Sequence, residues 1–64
     1  MRIKVSTRGG GPLNVRKAMT GKGEGIILTT LPNGSEHDAK ETKGGEWYRV
    51  GPGYVRAELC RVID

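Results

Sequence analysis

Glycine occupies 11 of the 64 positions of this chain, and the glycines are spread from Gly9 to Gly53. A glycine inside a helix costs about 1 kcal/mol relative to alanine, so this distribution favours tight turns between short strands. No segment carries apolar residues at the i, i+3, i+4, i+7 spacing of an amphipathic helix. The sequence therefore predicts an all-β fold.

Alternating segments place the predicted strands. RIKV and LNVR alternate polar with apolar residues, and each has one core side. The core-side residues are Ile3, Val5, Leu13 and Val15. The apolar segment IILTTL, the polar segment EHDAKET, the pair WYRV and YVRA, and the closing ELCRVID give the other strands. Turns are predicted at Asn33–Gly34, at Gly44–Gly45 and around Pro52–Gly53, with one 3₁₀ turn near the C-terminus. A small, partly open barrel of five to six short strands fits this pattern.

Length and composition predict a single domain over residues 1–64 that is not an enzyme. A chain this small buries one thin core, which leaves little room for a deep catalytic pocket. Cys60 and His37 are the only residues of their kinds, too few for a zinc site, and no cofactor is expected. The GKGEG segment of the glycine-dotted loop at residues 17–25 lacks the spacing of a phosphate-binding loop.

Charge and targeting signals narrow the partners only partly. The net charge is +4, which suits a nucleic acid, an anionic cell wall or an acidic peptide. No signal peptide and no apolar run of about 20 residues are present, so no membrane span is expected. The chain is therefore either an intracellular protein or one domain of a longer secreted protein, and a monomer is expected.

The three aromatic residues lie within eight positions and alternate with two arginines. If Pro52–Gly53 forms a two-residue turn, Val50 lies opposite Val55, and directly opposite residues share a face. One face then carries four candidate ligand-binding residues, Trp47, Arg49, Tyr54 and Arg56. This face offers rings for stacking and guanidinium groups for carboxylates. The alternative to ligand binding is that Trp47 covers the core and has a structural role. The two interpretations do not exclude each other.

Three motifs, LNVR, EWYRV and GYVRAEL, resemble in order and spacing the bacterial SH3 domain family. The resemblance covers about Ile3 to Ile63 and implies an SH3-like barrel without catalytic activity. Such domains are usually attached to cell-wall hydrolases and other envelope proteins, where they bind peptidoglycan through its peptide stems or cross-bridges. The resemblance places Trp47 and Tyr54 at the ligand groove. Arg56 and Leu59 depart from the residues of the proline-binding SH3 domains, which counts against proline-rich ligands.

The sequence thus predicts a non-catalytic module that binds bacterial cell-wall peptidoglycan and targets an attached protein, such as a hydrolase domain. The resemblance implies a location in the cell envelope or outside the cell. Two alternatives stay open. One is a nucleic-acid-binding barrel, which the pI of about 9.6 and the aromatic and arginine face favour. The other is a protein-docking domain within a larger assembly.

Overall fold

The computed structural model describes residues 1–19 and 25–64, and most of the predicted loop with its GKGEG segment lies outside the described residues. The described residues form eight short strands, β1 (Arg2–Val5), β2 (Leu13–Arg16), β3 (Ile27–Leu31), β4 (Glu36–Asp38), β5 (Lys40–Glu41), β6 (Trp47–Val50), β7 (Gly53–Arg56) and β8 (Cys60–Val62). A 3₁₀ turn at Ala57–Leu59 precedes β8, as predicted. Within residues 1–19 and 25–64, no helix is long and apolar enough to cross a membrane.

The strands form two antiparallel sheets, which confirms the all-β prediction. The three-stranded sheet has the order β4-β1-β8, and the five-stranded sheet has the order β3-β2-β7-β6-β5. Ala39 alone separates β4 from β5, so residues 36–41 run from one sheet into the other. The Ala39 N–H donates to the Met1 carbonyl oxygen at 2.8 Å, which ties this crossing point to the start of β1.

The predicted strand number of five to six is too low. The segment EHDAKET was expected to form one strand, but it divides at Ala39, because β4 pairs with β1 and β5 pairs with β6. Both pieces lie at sheet edges. The pairing among the described residues does not close into a complete barrel.

The core lies between the two sheets and is made of small and branched apolar residues. The alternation in β1 and β2 is confirmed, because every predicted core-side residue of these strands is buried. The central cluster of buried residues is Ile3, Val5, Leu13, Val15, Ala39, Val50 and Val55. Leu31, Tyr48, Leu59 and Cys60 are partly buried against it.

The β6–β7 hairpin has a different register from the predicted one. Val50 lies opposite Gly53, so the expected pairing of Val50 with Val55 is wrong by two residues. The turn is Gly51–Pro52, and Gly51 has a φ of 56°. Proline holds φ at about −65°, and positive φ followed by negative φ is typical of the type II′ turns that two-residue hairpins prefer. A shift of two residues leaves each side chain on its predicted face, because the alternation has a period of two.

Gly53 begins β7 where two strands come close together. A Cβ atom at this position would lie 2.5 Å from the Arg16 carbonyl oxygen and 2.8 Å from Cγ1 of Val15. Real Cβ atoms essentially never approach other atoms this closely. The absence of a side chain at Gly53 therefore allows β7 to pack directly against β2.

Candidate functional site

The four predicted ligand-binding residues share the outer face of the β6–β7 hairpin, where they form two cross-strand pairs. Trp47 lies opposite Arg56, and Arg49 lies opposite Tyr54. The residues that alternate with them, Tyr48, Val50 and Val55, belong to the core side of the hairpin. The predicted division into two faces is therefore present.

The Trp47–Arg56 pair is the more enclosed of the two. The Arg56 guanidinium carbon lies 4.9 Å from the centroid of the Trp47 ring, which is within the range of a cation–π contact. Trp47 is only 4% exposed, although it lies outside the central core cluster. A groove of about 350 Å³ borders the pair and is also lined by Arg16 and Glu58. The ring of Trp47 therefore supports the sheet from its outer side, and the arginine is the member of the pair with more exposure to solvent.

The Arg49–Tyr54 pair is more accessible. The Arg49 guanidinium carbon lies 6.0 Å from the centroid of the Tyr54 ring, at the outer limit of a cation–π contact. Arg49 is exposed and Tyr54 is half-buried. Of the two pairs, this one offers a ligand both an exposed charge and an accessible ring.

The sheet pairing extends the second pair into a row that crosses four strands. Lys40 on β5 lies opposite Arg49, and Arg16 on β2 lies opposite Tyr54. We call Lys40, Arg49, Tyr54 and Arg16 the cationic row. Adjacent strands are about 4.8 Å apart, so the row spans about 14 Å along the sheet. The row therefore contains three cationic side chains and one tyrosine ring, and Arg49 and Arg16 lie on either side of the ring.

Like charges placed directly opposite each other in a sheet destabilise it. Lys40 and Arg49 lie directly opposite each other. The Lys40 side chain is exposed, so core packing does not require a lysine at this position. An anion bound between the two side chains would remove the repulsion and gain two charge-assisted hydrogen bonds. The arrangement is thus suited to carboxylate or phosphate groups.

Depressions lie at both ends of the cationic row. Lys40 and Arg49 line a depression of about 750 Å³, which is also bordered by Arg2 and Asp38. Arg2 and Asp38 form an exposed ion pair there, with 2.9 Å between Nη1 and Oδ1. At the other end, Arg16 borders the smaller groove beside Trp47. A ligand lying along the row would have concave surface at each end.

Neither Lys40 nor Arg16 was named among the candidate ligand-binding residues predicted from the sequence. The signal for Lys40 was present, because counting outwards from Gly44–Gly45 places Lys40 opposite Arg49, as observed. The signal for Arg16 was not present, because its neighbour Tyr54 is brought to it by pairing between strands far apart in the chain. The Arg16 Nη1 also donates a hydrogen bond to the Gly25 carbonyl oxygen at 3.4 Å.

His37 and Cys60 belong to the other sheet, on β4 and β8. His37 is half-buried, and its Nε2 lies 2.7 Å from Oγ of Ser35. Burial raises the pKa of the Cys60 thiol from 9.0 to about 11. A thiol with a raised pKa is a poor nucleophile at neutral pH. In the part of the chain that the structure describes, no three residues of the His, Cys, Asp or Glu types are grouped to hold a metal ion.

Comparison of the chain with protein-family models, with curated proteins and with solved structures found no match.

Proposed function

We propose that this chain is a non-catalytic binding module whose cationic row recognises the carboxylate groups of bacterial cell-wall peptide. The observation that carries the proposal is the alignment of Lys40, Arg49, Tyr54 and Arg16 across four strands on one sheet face. Arginine binds carboxylates with two parallel hydrogen bonds, and a tyrosine ring gives contact area at low entropic cost. The module would bring an attached protein, such as a hydrolase domain, to the cell wall.

An SH3-like barrel is the architecture that we propose for the chain. Short antiparallel strands, a segment shared by two sheets, and a 3₁₀ turn before the last strand all support it. The three sequence motifs that resemble the bacterial SH3 family fall on β2, on β6, and on β7 with the 3₁₀ turn. This correspondence between motifs and strands links the proposed architecture to the proposed ligand class.

Arg49 is the best position at which to test binding. Its side chain is exposed, so Arg49→Ala removes a charge without opening the core. Arg61 provides a matched control, because it is also an exposed strand arginine opposite a lysine, Lys4, but lies in the other sheet. Co-sedimentation with cell-wall sacculi should show affinity at least about tenfold weaker for Arg49→Ala, a loss of about 1.4 kcal/mol. Arg61→Ala should bind as the wild type does, and equal binding by all three proteins would refute the site.

Lys40→Glu separates binding from stability. The substitution replaces a like-charge cross-strand pair with an opposite-charge pair, so the free energy of unfolding should rise by about 0.2–1 kcal/mol. Binding to sacculi should fall, because a negative charge then stands in the cationic row. A variant that loses both stability and binding would indicate that Lys40 supports the fold instead.

A nucleic-acid-binding function is the second candidate. It is favoured by the three cations that share a row with a half-buried tyrosine, a combination that also suits phosphates and a stacked base. The ligand that binds separates the two candidates, and for a nucleic acid each phosphate contact makes affinity fall steeply as salt is added. Binding of a single-stranded oligonucleotide that weakens more than about tenfold between 50 and 300 mM salt, without binding to sacculi, would favour this candidate.

A further inference from the structure

Strand β3 is an exposed, apolar edge. It is the outermost strand of the five-stranded sheet and pairs only with β2 among the described strands. Large apolar side chains are exposed at its start, with Ile27 at 48% and Leu28 at 42%, and Ile26, just before the strand, at 63%. The outer side of an edge strand presents unpaired N–H and C=O groups to any strand that approaches.

The other sheet edges differ from β3 in charge. Proteins usually protect sheet edges with charged residues, which oppose pairing with another chain. Each of the other three described edges carries them, with Glu36 and Asp38 on β4, Lys40 on β5, and Arg61 on β8. The whole segment from Gly25 to Ser35 has no ionisable side chain. Of the described sheet edges, β3 is therefore the one at which an approaching strand would face no charged side chain.

The sequence of β3 allows it to pair with a second copy of itself without placing any charged residues opposite each other. If two copies pair antiparallel about Thr29, Ile27 lies opposite Leu31 of the other copy, and Leu28 lies opposite Thr30. The central pair would be Thr29 with Thr29. Thr–Thr pairs are favourable across antiparallel strands, and the Ile27–Leu31 pairs would remove apolar surface from water. An isologous contact of this kind closes after two copies and leaves no open edge to continue an array.

We propose that β3 pairs antiparallel with β3 of a second copy of this chain, which joins two five-stranded sheets into one of ten strands. The net charge of +4 makes most of the surface self-repelling, and the uncharged β3 edge is where two copies can approach. Antiparallel pairing keeps directly opposite residues on one face, so both cationic rows lie on the same side of the joined sheet. The inference replaces the sequence expectation of a monomer and does not depend on the identity of the ligand.

The test is the mass of the protein in solution as a function of concentration. A five-residue edge gives a small interface, so sedimentation equilibrium should cover roughly 10 µM to 1 mM. The wild type should shift from monomer to dimer within this range. Thr29→Lys places two lysines opposite each other and should raise the dissociation constant at least about tenfold. Ser6→Lys adds the same charge at an exposed position outside β3 and should leave the constant within about twofold.

A charge-complementation measurement distinguishes loss of pairing from a change of fold in Thr29→Lys. An equimolar mixture of Thr29→Lys and Thr29→Glu should form a heterodimer at least as well as the wild type dimerises, because opposite charges then face each other. Each variant alone should be monomeric and should melt cooperatively. A wild type that stays monomeric at every concentration would overturn the proposal. A dimer that Thr29→Lys and Ser6→Lys weaken equally would also overturn it.

Discussion

Substituting alanine for Gly53 isolates the close approach of β7 to β2. The added Cβ would meet the Arg16 carbonyl oxygen at 2.5 Å and Cγ1 of Val15 at 2.8 Å. The first contact is with backbone that is itself paired in the sheet, and the second is with a buried core residue. Neither neighbour can move away without disturbing the packing around it.

The expected destabilisation follows from two opposing terms. Inserting one methyl group into a close-packed site costs about 1–3 kcal/mol. Alanine also lowers the conformational entropy of the unfolded chain, which stabilises the folded state by about 0.4–1 kcal/mol. The net loss for Gly53→Ala should therefore be about 1–2 kcal/mol, or a fall in Tm of roughly 5–15 °C for a domain of this size. Such a loss is a large part of the few kcal/mol that stabilise 64 residues.

Thermal and urea unfolding, followed by circular dichroism, provide the assay. Gly9→Ala is the matched control, because nothing lies within 4 Å of its added Cβ and its φ is not in the positive region. Gly9→Ala should leave Tm unchanged or raise it slightly through the same effect on the unfolded chain. If Gly53→Ala and Gly9→Ala melt at the same temperature, the contact between β7 and β2 is not as tight as described, and the reasoning fails.

Three further substitutions give distinct outcomes. Trp47→Ala should remove about 3–5 kcal/mol, which is most of the stability of so small a domain, so the variant should be largely unfolded before urea is added. A native-like urea transition would show that the 4% exposed ring contributes no packing. The Cys60 thiol, with its pKa raised to about 11 by burial, should react with iodoacetamide at pH 8 at least about tenfold more slowly in the folded than in the urea-unfolded chain. Because the folded pKa is the higher one, the Cys60 contribution to stability should be complete below pH 9 and decline towards pH 11, and a Cys60→Ala variant should lack that part of the decline. Arg2→Ala breaks an ion pair with Asp38 whose side chains are 43% and 88% exposed, so stability should change by less than about 1 kcal/mol in the same titration.

The sequence predicted the two faces of the central hairpin although it gave the wrong register. Side chains alternate between the faces with a period of two, so a register error of two residues does not change the face on which any side chain lies. The core residues of β1 and β2 were predictable for the same reason. Gly51 was the informative residue that the prediction passed over, since a glycine followed by proline suits a type II′ turn better than Pro52–Gly53 does.

The solvent exposure of each side chain could not be predicted from the local sequence pattern. The burial of Trp47 depends on the stacked Arg56 and on the groove that other strands complete, and those are contacts between distant segments. The exposure of Ile27 and Leu28 was equally hidden, because an apolar, β-branched segment indicates a strand without saying what covers it. The cationic row combines four strands, so its completion required the sheet order.

The crossing segment at residues 36–41 makes the two sheets mechanically dependent on each other. Its first half is hydrogen-bonded to β1 and its second half to β6, with buried Ala39 as the only residue between them. Unfolding of either sheet would disturb a segment that is hydrogen-bonded to the other sheet, so we expect the two sheets to unfold together. Slow hydrogen exchange should therefore report one common opening free energy for the amides of β1 and β6, instead of two separate values. The domain should yield as a single unit when its ends are pulled.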